Sequence, residues 1–314
     1  MTLVQLQYVL AVAEYKNFTL AADKSFVTQP TLSMQIQKLE KELNIEIFDR
    51  SQQPIKLTQI GQRIVEQAKI ILKESNKITH LITEEKGLLE GEFKIGVIPT
   101  ILPDLVPLFY KTFQNTYPKA QLVFKEYQTH EIVGLLKEGT LDFGIAATPL
   151  NDDQIIEKPL YFEPFVAYIP ENHPLHSKKE IELSDLNPEE ILLLKDGNCF
   201  RYNILNLCET DKINNQKLKL ESGSLKTLVK LANEGFGYTI LPKLHADDIP
   251  EDYQKNIRNF KEPIPTREVS LIFHQSNLRH TFETGLINII QSVLRGKIFL
   301  EKNGKISSPL IKLP

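Results

Sequence analysis

No run of about 18 apolar residues occurs anywhere in the 314-residue chain, so nothing in it reads as a membrane-spanning helix. The N-terminus, MTLVQLQYVLAVAEYKNF, carries no basic region ahead of its apolar residues, and polar residues interrupt them. That is unlike a secretory signal peptide, and the expected location is the cytoplasm. Cysteine is scarce: Cys199 and Cys208 are the two in the chain. Two thiols cannot furnish a zinc site of four cysteines, or of three cysteines and a histidine, and no histidine stands at ligand spacing beside them. No metal is expected. No G-x-G-x-x-G follows any strand-like run, so no nucleotide cofactor is expected either. An excess of positive charge is also missing. The net charge is −3; residues 1–90 hold 11 Lys+Arg against 11 Asp+Glu, and the remainder 26 against 29. This excludes an indiscriminate nucleic-acid coat, and any DNA binding must come from locally placed contacts.

What is present is a normal globular composition, 41% hydrophobic and 25% charged, long enough for two or three domains. Residues 3–15 have helical periodicity, with Leu3, Leu6, Leu10 and Ala13 on one face beside Val9 and Val12. A short helix fits Thr19–Lys24 with Thr19 as its cap, and Ser25-Phe26-Val27 reads as a turn. A third helix begins near Thr28, where Pro30 suits the first turn, and runs to Leu43 with Leu32, Ile36, Leu39 and Leu43 inward. Three short helices at this spacing, followed by Ile47–Arg50 and Lys56–Thr58 flanking SQQP, predict a winged helix-turn-helix. The third helix would read the major groove. Gln29, Thr31, Ser33 and Gln35, with Pro30 setting the helix start, would approach base edges or phosphates; Lys24, Lys38 and Arg50 would contact phosphate. Between Lys24 and Leu39 no acidic residue occurs to repel DNA.

A long helix follows from Gln59, free of internal Gly or Pro after Gly61. Ile64, Ile71 and Ile78 lie seven apart and Ala68, Ser75 and Ile82 fall four after each, a heptad seam suited to dimerisation. From residue 92 the pattern changes. FKIGVI, QLVFKEY, LDFGIAA, VAYIP, EILLL, KLKLES and GYTILP read as strands, alternating with helices near 103–116, 130–138, 200–208, 224–234 and 278–294. Such alternation predicts a parallel-rich α/β sheet. About 200 residues suffice for two small hinged lobes. The polar end, 296–314, reads as frayed.

With these parts in this order, the chain resembles a LysR-type transcriptional regulator over essentially its whole length. The carrying segments are AADKSFVTQPTLSMQIQKLEKELNIEIFDR, LTQIGQ and SLKTLVKLANEGFGYTILP. Within that family, KDGNCFRYNILNLC at 195–208 is similar to the redox segment of the peroxide-sensing OxyR group. So are IPT ending at Thr100, YQTHE around Thr129, and Arg267 in TREVSLIF. One departure is Asn198, where many relatives carry His just before the first cysteine.

The resemblance implies a winged helix-turn-helix over 1–58 and a dimerising linker helix over 59–90. It also implies an α/β regulatory domain of two Rossmann-like, periplasmic-binding-protein-like lobes over 91–300. Lobe I would take 91–162 and 267–300, lobe II 163–266, with 301–314 a flexible tail. It implies that Cys199 is the peroxidatic thiol and Cys208 the resolving one, and that Thr100, Thr129, His130 and Arg267 bind peroxide or stabilise the thiolate. A homotetramer, promoter DNA, RNA polymerase and a glutaredoxin- or thioredoxin-like reductant are the implied partners; activation of antioxidant genes is the implied output.

The thiolate is the reacting form, so Cys199 is expected to have a depressed pKa at a helix N-terminus, with Arg201 and Arg267 nearby. If 199–208 is helical when reduced, the cysteines stand roughly 13 Å apart. A disulfide needs Cα atoms about 4.4–6.8 Å apart, so the helix would have to unwind. Other readings are a regulator sensing a metabolite between the lobes, a thiol peroxidase, and an exported solute-binding protein. A thiol peroxidase would need no DNA reader, and a solute-binding protein would need an export signal.

Overall fold

A computed structural model describes residues 1–85, 89–208, 222–301, 305–307 and 309. The chain divides into two compact units, Met1–Lys86 and Gly87–Pro314.

In the first unit, α1 (Leu3–Tyr15) opens with a capping box between Thr2 and Gln5. It buries Gln5, Leu6, Val9 and Val12, whereas Leu3, expected on that face, is exposed. α2 (Phe18–Lys24) is capped by Asn17, whose side chain accepts from Leu20 N–H at 2.9 Å. Thr19, the expected cap, lies two residues past Asn17 and sits inside the first turn. α3 (Gln29–Leu43) has Pro30 in its first turn and buries Leu32, Ile36 and Leu39. Leu43 stays exposed because the helix stops there, at a left-handed Asn44. The wing is β1 (Phe48–Asp49) paired antiparallel with β2 (Lys56–Leu57). Glu40 pins it to α3, accepting from Ile47 N at 2.8 Å and from Arg50 Nη2 at 2.9 Å.

α4 (Gln59–Glu85) starts against that wing: a Cβ at Gly61 would lie 2.1 Å from Ile47 O, so only glycine fits. Val65 and Ala68 join the core of this unit, with Ile64 and Ile71 packed on it. Ile78 is 64% exposed. The first part of the heptad seam therefore serves its own domain, and Ile78 is left for another surface; the side chain of Ile82 lies outside the described residues. The described part of the helix reaches Glu85, and Leu89–Glu90 are not helical.

The second unit begins with β3 (Gly91–Val97), α5 (Leu102–Thr116), β4 (Ala120–Glu126), α6 (Thr129–Glu138) and β5 (Phe143–Thr148). β4 and β5 both pair parallel to β3. β6 (Ile155–Tyr168) then leads away to β7 (Glu180–Ile181), α7 (Cys199–Leu207), α8 (Leu225–Asn233), β8 (Thr239–Pro242), α9 (Lys243–Asp247), α10 (Glu251–Gln254) and β9 (Ile257–Phe260). β10 (Pro265–His274) returns, followed by α11 (His280–Leu294) and β11 (Lys305–Ile306). The sheet order is β4-β3-β5-β10-β6-β9-β7, with β8 also on β6 and β11 on β10. The parallel expectation holds for β4-β3-β5, while β10 runs antiparallel to both β5 and β6. EILLL is not a strand: it makes one bridge, Ile191 to Tyr238, although Leu192, Leu193 and Leu194 are buried. Burial, not pairing, produced its apolar run. KLKLES, apart from Ser222, lies outside the described residues.

Two hydrophobic cores divide this unit. One gathers Phe93, Phe113, Phe143 and Tyr161 under α11; the other gathers Phe165, Phe200, Leu228 and Tyr238. β6 contributes to both, Leu160 and Tyr161 to the first and Phe165 and Val166 to the second. Between these pairs stands Glu163, and its register partner on β10 is Arg267. Each is 1% exposed. Arg267 Nε donates to Glu163 Oε2 at 2.8 Å, and the other carboxylate oxygen accepts from Leu244 N at 3.0 Å.

The end of the chain departs from the flexible tail expected over 301–314. Lys305–Ile306 pair parallel with Pro265–Thr266. Ser307 Oγ donates to Asn203 O at 2.7 Å, and Asn203 Nδ2 returns a bond to Ser307 O at 2.8 Å. Polar composition suggested fraying, yet these polar atoms make buried bonds. Residues 302–304, 308 and 310–314 lie outside the described residues.

Truncating one partner of the buried pair leaves a charge without compensation. Glu163→Ala is expected to cost about 3–5 kcal/mol, whereas Lys261→Ala, which breaks a solvent-screened pair with Glu182, is expected to leave the unfolding midpoint almost unchanged. Urea unfolding of the full chain measures both; equal midpoints would contradict the junction's role.

Candidate functional site

Helix α7 begins where the two cores meet. Its N-cap is Asn198, whose Oδ1 accepts from Phe200 N at 3.0 Å. Cys199 belongs to the first core and Phe200 to the second. Cys208, the C-cap residue, packs on the second core. Both thiols are free. With a rise of about 1.5 Å per residue, the helix holds their Cα atoms roughly 13 Å apart, beyond disulfide reach. The helix expected over 200–208 thus starts at Cys199 itself, as the spacing argument requires.

Arg267 organises the surroundings of Cys199. Beyond Glu163, its Nη1 donates to Thr100 Oγ1 and its Nη2 to Thr100 O, each at 3.0 Å. Its guanidinium carbon sits 5.3 Å from the Phe200 ring centroid. Burial raises the Glu163 pKa, but all its contacts are donors, Arg267 and Leu244 N–H, and these hold it ionised. Burial pushes the Cys199 thiol above its ordinary value; Arg267, the Thr129 hydroxyl and the backbone N–H groups of Phe200 and Cys199 pull the other way without prevailing. The depressed pKa expected at this helix N-terminus is therefore not found in the resting fold, because full desolvation outweighs one guanidinium and a helix end. Among the described residues no cation opposes the burial of Cys208, which raises it to about 11.

The residues singled out in the sequence are sorted by this geometry. Thr100 and Thr129 do not cap helices: Thr100 is bound to Arg267, and α6 is capped by Gln128 through a box with Glu131. Thr129 Oγ1 is buried without a satisfied hydrogen bond. His130 is exposed on the rim of a cavity whose wall includes Cys199 and Thr129. Arg201, expected beside the thiolate, instead pairs with Asp196 at 2.8 Å and donates to Leu194 O. It lies on a different face of α7 from Cys199.

Glu163 was missed, though a lone carboxylate in the apolar run YFEPFVAY is a signal for a buried partner. Nothing in the sequence could pair Asn203 with Ser307, 104 residues apart. A similar long-range pair, His245 Nδ1 with Asp104 Oδ2 at 3.1 Å, lies beside the junction.

On α3, the side chains of Gln29, Pro30, Thr31 and Lys38 are exposed, as is Lys24 at the end of α2. Three expected DNA contacts, Arg50, Ser33 and Gln35, are otherwise engaged. Arg50 is bound to Glu40 and to Ser33 Oγ, and Gln35 accepts from Gln5. Met34 and Gln37, which the sequence pattern did not single out, share the exposed face. Phe26 in the turn is 96% exposed with φ of 55°.

Residues 3–62 match the bacterial regulatory helix-turn-helix protein, lysR family, and residues 86–295 match the LysR substrate binding domain. The hydrogen peroxide-inducible genes activator of Pectobacterium carotovorum is 33% identical over 301 residues, covering 94% of this chain and 98% of that protein. The DNA-binding transcriptional dual regulator OxyR of Escherichia coli K12 is 33% identical over 286 residues, covering 90% and 93%. Among solved structures, a full-length cysteine-to-aspartate variant of Pseudomonas aeruginosa OxyR superimposes with a TM-score of 0.73 at 33% identity, covering 93% of this chain and 98% of that one. A cysteine-to-serine mutant of Corynebacterium glutamicum OxyR with H2O2 bound gives 0.62 at 28% identity, covering 94% and 92%.

A raised Cys199 pKa means that thiolate keeps accumulating as pH rises through neutrality. Alkylation of Cys199 by iodoacetamide is expected to accelerate roughly tenfold per unit between about pH 6 and 8, without a plateau. Thr129→Val removes a group that favours the anion and slows the reaction at every pH. Peptide mass spectrometry reads both; a plateau below pH 8, or an unchanged rate in the variant, would count against this electrostatic account.

Proposed function

Because the chain belongs to the LysR family of bacterial regulatory helix-turn-helix proteins, we propose that it is a transcription regulator, not an enzyme, that senses hydrogen peroxide through Cys199. One observation carries the reading: two free thiols stand at opposite ends of one helix, each packed in a different core. Residues 1–58 bind promoter DNA through α3, 59–90 dimerise the chain, and 91–300 sense. Output passes to RNA polymerase from a homotetramer built as a dimer of dimers, in the cytoplasm, and activates antioxidant genes.

The chemistry starts at Cys199, which among the described residues has a cation, Arg267, and the Thr129 hydroxyl favouring its anion, whereas Cys208 has neither. Arg267, held by Thr100 and Glu163, favours the thiolate; Thr129 has an unused hydroxyl to offer a peroxide oxygen. The sulfur attacks one oxygen, the O–O bond breaks, and hydroxide leaves and takes up a proton as water. The resulting sulfenic acid condenses with Cys208, releasing a second water.

That condensation requires α7 to unwind. Unwinding withdraws Ile204, Leu205 and Leu207 from the second core, at up to about 1.5–3 kcal/mol each, and breaks the Asn203–Ser307 pair. It also frees Cys208 from the burial that keeps it protonated. A local oxidation thereby changes the shape of the domain, which is what a switch needs. A thiol reductant of the glutaredoxin or thioredoxin class resets it. The metabolite-sensing alternative has less support, since the guanidinium between the two cores is occupied by Glu163 and Thr100.

Cys199→Ser is expected to abolish the response to dilute peroxide while DNA binding persists; a mutant that still activates would refute the assignment. Cys208→Ser is expected to form a sulfenic acid at Cys199 but no intramolecular disulfide. Non-reducing peptide mapping that finds the same loss of two hydrogens as in the wild type would contradict it.

A further inference from the structure

Cys199 lines a cavity of about 370 Å³, far larger than hydrogen peroxide needs. A peroxide of two oxygens, about twice the size of a water molecule, fills only a small part of it. Much of the wall is apolar: Val133 from α6, Leu150 after β5, Tyr202 from α7, and Pro309 from the end of the chain. Polar groups line it too: the thiol, the buried hydroxyl of Thr129, and His130 and Asp152 nearer solvent. A largely apolar chamber with a nucleophile and a few hydrogen-bonding groups is the shape of a site for an amphipathic small molecule.

The occupant is narrowed by the state of the protein. Tyr202 and Cys199 sit on intact α7, so the cavity belongs to the reduced chain. A thiol reductant meets the oxidised chain, in which α7 cannot persist. The molecule that uses this chamber therefore arrives before oxidation and reacts with the thiol.

We infer that Cys199 also reduces organic hydroperoxides, whose terminal O–O group lies by Cys199 and Thr129 while the hydrocarbon part lies against Val133, Leu150, Tyr202 and Pro309. This rests on the peroxide-sensing reading and extends its substrate class. The thiolate sulfur attacks the terminal oxygen, a new S–O bond forms and the O–O bond breaks. The electron pair leaves with the alkoxide, which takes the proton that the thiol gave up. Cysteine is oxidised to sulfenic acid, and the hydroperoxide is reduced to an alcohol. Pro309 lies beyond residue 295, where the match to the family domain ends, so this wall is built by the chain's own C-terminal segment.

The test uses the full-length Cys208→Ser chain and measures the rate at which dimedone-trapped sulfenic acid appears at Cys199. Hydrogen peroxide and cumene hydroperoxide are compared. Cumene hydroperoxide is expected to react within about tenfold of hydrogen peroxide. Leu150→Trp, which fills the chamber away from the thiol, is expected to slow cumene hydroperoxide by about tenfold or more and to leave hydrogen peroxide unchanged. Val133→Phe is a second filling variant should the first fail to fold. A cumene hydroperoxide rate about a hundredfold or more below that of hydrogen peroxide would overturn the inference and leave peroxide sensing intact. Equal slowing of both oxidants by the filling variants would overturn it as well. No reaction of Cys199 with hydrogen peroxide would instead remove the reading on which it rests.

Discussion

The buried pair of Arg267 with Glu163 is the constraint from which the regulatory unit takes its form. Two charges taken out of water are costly unless every donor and acceptor is matched. Here the guanidinium meets a carboxylate, a threonine hydroxyl and a carbonyl, and the carboxylate also meets Leu244 N–H. Each match comes from a different part of the chain. β6 and β10 supply the two charges, the turn before α5 supplies Thr100, and the start of α9 supplies Leu244. The pair can be satisfied only when both cores are assembled around it, so the guanidinium stands beside Cys199 only in the complete fold.

Cys199 is consequently held between opposing influences. Desolvation disfavours its anion, and Arg267, Thr129 and the start of α7 favour it. In the resting state the first prevails, which keeps the thiol protonated. The same helix that positions Cys199 keeps Cys208 at its other end. The packing of Ile204, Leu205 and Leu207 and the Asn203–Ser307 bonds oppose disulfide formation. Sensing and mechanical resistance share one nine-residue element.

In the other unit the division of labour is similar. Glu40 draws Arg50 and the backbone of the wing onto α3, so structural polar groups sit on one side of the helix. Gln29, Pro30, Thr31, Met34 and Lys38 remain exposed on another side. α4 gives its first turns to this core through Val65 and Ala68 and continues with an exposed Ile78.

Much of this was legible from residue order. Hydrophobic period located the three N-terminal helices, the long helix and most of the strands, because period reports which face is buried. The helix over 199–207 and the separation of the thiols followed from local pattern and fixed helical rise. What the pattern misjudged were edges and exceptions: Leu43 left exposed, EILLL buried without pairing, and an end of the chain that looked frayed. By itself, then, the chain's order of amino acids determined the local elements, the domain order and the two reactive sulfurs. Tertiary structure alone decided that Glu163 faces Arg267 across adjacent strands, that Ser307 locks Asn203, and that the Cys199 thiol is raised and not depressed. Those outcomes depend on desolvation and on contacts between residues about 100 apart, and neither quantity has a local signature.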